Sequence, residues 1–317
     1  MKKLAYLVSA ISAAAFSTAH ADISVSGSAS AAYTAAGGNT SVLHGGAVSF
    51  GLSTTSDSGM TFAAGAGITR DTDAGDSAAG ATGLSSLTIT TGGVSIAMGY
   101  DIGLPDGVGV VGEVVTVADH NSRSVSNTAA VGDDEGAGIS LTTPVGGASL
   151  TLTYLYDLDA DTVTVGDLDG AAETGTGASV SSSIAGGTLT AAYNRVSSAS
   201  SVVNNETGIS FAYPAGGGTL TVGYTSTSGD TASNNGTAFG AKYAMSLEGT
   251  AITLGYQSYD VNSTSGNSTD IVVSRALGGG ASVFAEMRTT NGTVTASASA
   301  DGTDDTSTMA IGTSVSF

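Results

Sequence analysis

Seven times along the chain a tight, glycine-containing turn opens a strand in which apolar residues recur at every second position. Five copies are clear: Gly92-Gly-Val-Ser-Ile-Ala-Met-Gly-Tyr100, Gly146-Gly-Ala-Ser-Leu-Thr-Leu-Thr-Tyr154, Gly186-Gly-Thr-Leu-Thr-Ala-Ala-Tyr193, Gly217-Gly-Thr-Leu-Thr-Val-Gly-Tyr224 and Glu248-Gly-Thr-Ala-Ile-Thr-Leu-Gly-Tyr256. Ser58-Gly-Met-Thr-Phe-Ala and Gly279-Gly-Ala-Ser-Val-Phe are weaker copies. In a strand, alternation places the apolar residues on one face and Ser, Thr, Gly and Ala on the other. Each strand therefore has one apolar wall and one hydrated wall, and Gly with β-branched Thr and Val disfavours helix.

The first residues read as an address. Lys2 and Lys3 precede an apolar run from Leu4 to Phe16, and Ala19-His-Ala21 supplies a small-x-small cleavage site before Asp22. Residues 1–21 are expected to be a secretory signal peptide, and its apolar run is too short to span a bilayer as a helix. Nothing downstream approaches the roughly 20 consecutive apolar residues a membrane helix needs, whereas a barrel strand needs only about 9–11. The chain has no Cys, so no disulfide supports a secreted core, and a closed hydrogen-bonded sheet answers that need.

Turns and polar insertions divide residues 22–317 into about sixteen strands: 22–34, 46–56, 59–70, 83–91, 93–101, 136–144, 147–157, 173–184, 187–197, 206–213, 217–227, 237–247, 249–260, 269–277, 280–290 and 305–317. Short connections are expected to alternate strictly with long acidic ones. The fold class is all-β: a single transmembrane antiparallel β-barrel domain with short periplasmic turns and long extracellular loops. Parity sends Leu150, Leu152, Tyr154 and Tyr156 outward, together with Leu220, Val222 and Tyr224, Ile252, Leu254 and Tyr256, and Ile96, Met98 and Tyr100. The tyrosines fall six or seven residues past their turn glycines, at the height of an interfacial aromatic girdle. A soluble sandwich would need the opposite faces to be apolar as well. On the first strand, Ile23, Val25, Gly27, Ala29 and Ala31 make a smooth outer face, suited either to another subunit or to lipid.

These features together resemble the bacterial trimeric general porins of the outer membrane, particularly the alphaproteobacterial type. The resemblance is carried by the opening Asp22-Ile-Ser-Val-Ser-Gly-Ser-Ala, the Asp57-Ser-Gly-Met-Thr-Phe turn, the long insertion after the fifth strand, and Phe317 with Val315, Ile311 and Met309 at alternate positions. It implies sixteen strands, a homotrimer in a Gram-negative outer membrane among lipid and lipopolysaccharide, and a third loop folded into the lumen. It also implies that Phe317, Val315 and Ile311 are read by the outer-membrane assembly machinery. The implied function is a water-filled channel for passive diffusion of small hydrophilic solutes and ions, with no cofactor, metal or catalytic residue.

The insertion at 102–135 is the expected pore-constricting loop, carrying Asp106, Glu113, Asp119, His120 and Arg123 behind Asp101. Its segment Val108-Gly-Val-Val-Gly-Glu-Val-Val-Thr-Val117 is apolar enough to want burial against a wall, and the competing reading is an ordinary surface loop. Acidic groups in a pore favour cations. Parity sends Lys242, Phe284, Glu286 and Arg288 to the lumen, with Val283 and Met287 outward. Arg70 and Arg195 fall in the lipid-facing phase at strand tops, where long side chains snorkel, and Arg275 lies outward near a turn. The dense arginine cluster that the family carries on its early strands is missing, since only Arg70 lies there, and weak cation selectivity follows.

Other functions fit poorly. Losing Lys2 and Lys3 leaves six basic residues against 27 acidic ones, a net of −21 that repels nucleic acid. The acidic string Asp157-Leu-Asp-Ala-Asp161 fails the calcium-hand pattern, which wants Gly at its sixth position and Glu at its twelfth, where this chain has Thr162 and Leu168. After cleavage only His44 and His120 remain to activate a nucleophile. A substrate-specific channel would favour an ordered lumenal track of aromatics or paired charges, for which Phe284 is the one hint. A β-solenoid adhesin should repeat at a short fixed period, which this chain lacks.

Overall fold

The computed structural model describes residues 21–36, 39–70, 79–82, 86–105, 135–157, 174–197, 203–230, 235–261, 264–292 and 306–317. These residues form one antiparallel sheet of seventeen strand segments: β1 (Ala21–Ala36), β2 (Asn39–Thr55), β3 (Thr61–Arg70), β4 (Ala79–Thr82), β5 (Leu87–Thr91), β6 (Val94–Gly103), β7 (Glu135–Val145), β8 (Ala148–Asp157), β9 (Thr174–Ile184), β10 (Gly187–Ser197), β11 (Val203–Ala215), β12 (Gly218–Gly229), β13 (Gly236–Leu247), β14 (Thr250–Val261), β15 (Thr264–Gly278), β16 (Ala281–Gly292) and β17 (Thr306–Ser316). β4 and β5 both pair with β3, Arg70 opposite Ala79 and Thr61 opposite Thr90, so they are two parts of one interrupted stave. Sixteen staves result. Each pairs with its sequence neighbour, and β17 pairs with β1 to close the ring.

The tight turns set this meander. Gly92 and Gly93 take φ of 56° and 84°, and Gly216 and Gly217 repeat the pattern at 56° and 84°. Two successive positive φ values give the hairpin turn whose twist matches that of the flanking strands. In two turns a side chain occupies the first such position, Ala185 (φ 51°) and Glu248 (φ 50°). There the Cβ crowds the backbone, which glycine avoids. Glu248→Gly should therefore stabilise the folded barrel by about 0.5–1 kcal/mol, read from its urea midpoint in detergent.

Alternation holds around the ring. Leu152, Tyr154, Tyr193, Leu220, Tyr224, Leu254, Tyr256 and Ile271 are exposed outward, while Thr153, Asn194, Thr227, Gln257 and Asp270 are buried on the inner face. The exposed outer surface is apolar, as a lipid-facing wall must be. Near the turns, inward hydroxyls pair across strands: Thr142 with Thr151 at 3.0 Å, Thr153 with Ser140 at 3.1 Å and Ser282 with Ser314 at 2.6 Å.

Several boundaries differ from the sequence reading. β2 begins at Asn39 rather than 46, and β15 at Thr264 rather than 269, so the connections at 37–38 and 262–263 are two residues long. Short and long connections do not strictly alternate. The polar Asn, Ser and Gly residues that read as loop extend the ladders beyond the apolar band, where water satisfies one face. The stave expected at 83–91 is split, and its upper part begins at Ala79. The signal segment 1–20 lies outside the described residues.

Aromatic rings seat on glycines of adjacent strands at the turn end. A Cβ on Gly187 would meet the Phe211 ring, one on Gly218 the Tyr243 ring, and one on Gly27 the Phe317 ring. The third contact crosses the closing seam, where Gly27 and Phe317 also exchange backbone hydrogen bonds of 3.0 Å each. Tyr243 adds its hydroxyl, donated to the Ala215 carbonyl at 3.0 Å. Such ring-over-glycine contacts fill the gap a bare backbone leaves in a sheet and help to fix register.

Candidate functional site

The lumenal wall carries few charges among the described residues, and register places most of them together. Lys242 lies opposite Gly255, Gly255 opposite Asp270, and Asp270 opposite Arg288, one row across four staves. Strands stand about 4.8 Å apart, so Lys242 is two strands from Asp270 with only a glycine between. Arg288 donates from Nε to the Asp270 carboxylate, and both side chains are buried. Arg288 is thus neutralised in the wall. Glu286 and Phe284 are buried on the same face, the latter against Ala32 and Ala310.

Lys242 is half-buried beside buried Ala238 and Gly240, with no ion pair among the described residues. Arg195 and Arg275 are exposed on the outer faces of β10 and β15. For Arg70 and Asp101 only the backbone is described, in β3 and β6. Asp106, Glu113, Asp119, His120 and Arg123 lie outside the described residues, as does the acidic string beyond Asp157. Phe317, Val315 and Ile311 are exposed on the outer face of β17.

The root of the insertion is described, and it turns inward. Gly99 pairs with Gly138 but Ile102 pairs with Gly136, a one-residue bulge in β6. Because an extra residue reverses the alternation, a bulge re-aims every side chain beyond it. Ile102 and Leu104 consequently pack with the lumenal residues Leu155 and Val196. Asn194 donates from Nδ2 to the Pro105 carbonyl at 2.9 Å, across 89 positions of sequence.

Parity alone could not reveal Asn194, because nothing in its neighbourhood names Pro105 as a partner. Asp270 was findable: counting back from the 278–280 turn places it opposite Arg288.

A closed barrel with an apolar outside, a hydroxyl-bearing inside and a chain segment entering its lumen is the architecture of a pore. The sequence profile of the Gram-negative porins matches residues 7–295. The chain belongs to the Gram-negative porin family. It is an outer-membrane porin, and the end bearing the tight turns is the periplasmic one.

Solved structures agree on the fold. A loop-deleted OmpT, an outer membrane protein of Vibrio cholerae, superposes with a TM-score of 0.70 at 13% identity over 94% of this chain and 99% of that one. A multiply substituted variant of the Rhodobacter blastica porin gives 0.64 at 17% identity over 93% and 100%. The anion-selective porin from Comamonas acidovorans gives 0.66 at 12% identity over 94% and 100%. No curated protein sequence matches this chain significantly.

Proposed function

We propose that this porin passes small hydrophilic solutes by passive diffusion, with a weak preference for cations, through a waist narrowed by the insertion at 102–135. The observation that carries this reading is the inward root of the insertion at Ile102, Leu104 and Pro105. The hydroxyl-bearing wall keeps water hydrogen-bonded through the pore, so a polar solute crosses without desolvation. The insertion brings Asp106, Glu113, Asp119 and Arg123, with Asp101 at its entry, and Arg70, in the lipid-facing phase at a strand top, is placed to snorkel toward the aqueous rim.

On the wall, pairing removes Arg288 as a free cation, leaving Lys242 to oppose the acids, with Glu286 contributing negative charge. The anion selectivity of the Comamonas porin belongs to that protein and marks what this fold can do with other charges. In this chain the charge balance is acidic. Planar-bilayer reversal potentials in a salt gradient should show cations favoured over anions, and preference for anions would overturn the reading. Lys242→Gln should raise the cation-to-anion permeability ratio about two- to fourfold, as expected for removing one lumenal charge some 10 Å from a passing ion in water.

Three copies are proposed to assemble through the arc around β1. The exposed tyrosines of one girdle lie on β6, β8, β10, β12 and β14, and β1 adds Tyr33 to them, but turnward of Tyr33 it presents only the smaller Val25, Ala29 and Ala31 before Ile23. The Vibrio cholerae protein has a trimer form, and here conductance should rise in triplets of equal steps. The outward row Ile311, Val315 and Phe317 is proposed as the feature that the assembly machinery reads.

A further inference from the structure

We infer that Asn194 is a positioning residue for the pore: it holds Pro105 in a socket of missing side chains and fixes the height at which the insertion leaves the wall. The inference deepens the constriction reading above and rests on it.

The socket is built from four staves. On β9, a Cβ at Gly177 would collide with the Pro105 ring and with the Asn194 amide, and a Cβ at Gly175 would stand 3.3 Å from Leu104 Cδ2 and from Leu155 Cδ1. On β7, a Cβ at Gly138 would collide first with the Tyr154 carbonyl oxygen and would also stand 2.6 Å from Leu155 Cδ2, so this glycine admits both the β8 backbone and the Leu155 side chain. Three glycines therefore leave the volume that Leu104, Pro105 and the underlying Leu155 occupy. Val196 on β10 completes the apolar floor.

That floor alone would not set a position, because apolar contact is non-directional. The Asn194 amide supplies direction. Its side chain is fully buried, and its Nδ2 reaches the Pro105 carbonyl at 2.9 Å. Proline brings no N–H of its own, so the carbonyl is its one backbone hydrogen-bonding group. Asn194 Oδ1 has no hydrogen-bond partner among the described residues. A buried polar atom left unpaired is costly and calls for an explanation. The explanation offered is placement: one end of the amide grips Pro105 while the other fills the space above Gly177.

Asn194→Leu keeps the branched outline, with somewhat larger methyl groups, and removes the donor. In planar bilayers, the variant should show single-channel conductance raised about 1.5-fold as the narrowing shifts, with faster liposome swelling in larger neutral sugars. Its heat-dependent gel mobility should stay that of a closed barrel. Cysteines at Leu104→Cys and Gly175→Cys, in a chain with no native Cys, should form a disulfide that returns the Asn194→Leu conductance to the parent value and is reversed by reductant.

Unchanged conductance in a folded, active Asn194→Leu porin overturns the inference. If that variant does not fold, the cysteine pair in the parent decides: a disulfide with parental conductance supports the socket, and failure to form it overturns the socket. A parent protein whose conductance and solute cut-off match an unobstructed barrel would instead overturn the constriction reading beneath it.

Discussion

Asp270→Ala should destabilise the folded porin by about 3–5 kcal/mol, because it breaks a buried pair and takes the facing carboxylate from the Arg288 guanidinium in the wall. Asp270 and Arg288 face each other directly across β15 and β16, and the carboxylate accepts from Arg288 Nε. Removing both charges with Asp270→Leu and Arg288→Met should cost far less, since well-packed apolar residues replace buried ion pairs at little or no loss. Urea midpoints of the detergent-solubilised barrel, followed by loss of strand circular dichroism, measure the difference. Equal losses in the single and double variants would show that the wall does not bury this pair as described. The same substitution bears on selectivity: it subtracts one negative charge from the lumenal row that holds Lys242, and the reversal potential should move toward anions.

Gly27→Leu should cost about 2–3 kcal/mol and sharply lower the yield of closed barrel on refolding, because the new side chain needs the volume of the Phe317 ring. The cost falls on the seam. Combining Gly27→Leu with Phe317→Ala returns that space and should recover most of the refolding yield in detergent, read by heat-dependent gel mobility. In cells the double variant should remain poorly assembled if Phe317 is also read by the assembly machinery. Recovery in both settings would confine Phe317 to packing.

The barrel was legible because its signal is periodic and local. A glycine at a positive-φ turn position and apolar residues at alternate sites require only short-range geometry, so the placement of Lys242, Glu286 and Arg288 on the inner face could be counted out along each strand. What parity could not supply was pairing. Arg288 reads as a free lumenal cation until register brings Asp270 opposite it. The inward turn at Ile102 depends on one extra residue in β6, which breaks the parity that the reading relied on. Loop-end boundaries failed for a different reason: Asn39 and Ser41 lie in a ladder above the apolar band, where composition no longer reports strand.

The pairing of β17 with β1 also bears on how quickly the porin can form. Every other ladder joins strands that are adjacent in sequence, so its closure entropy is that of a hairpin or of one insertion. The seam joins Ser28 to Ser316, nearly the whole chain apart. Contact order is therefore concentrated in a single ladder, and non-local pairing is the slow part of β-sheet folding. Until that ladder forms, β1 and β17 are both open edges able to pair with a neighbouring copy. The Phe317 ring on Gly27 adds packing that is gained only once that ladder is paired, at its turn end.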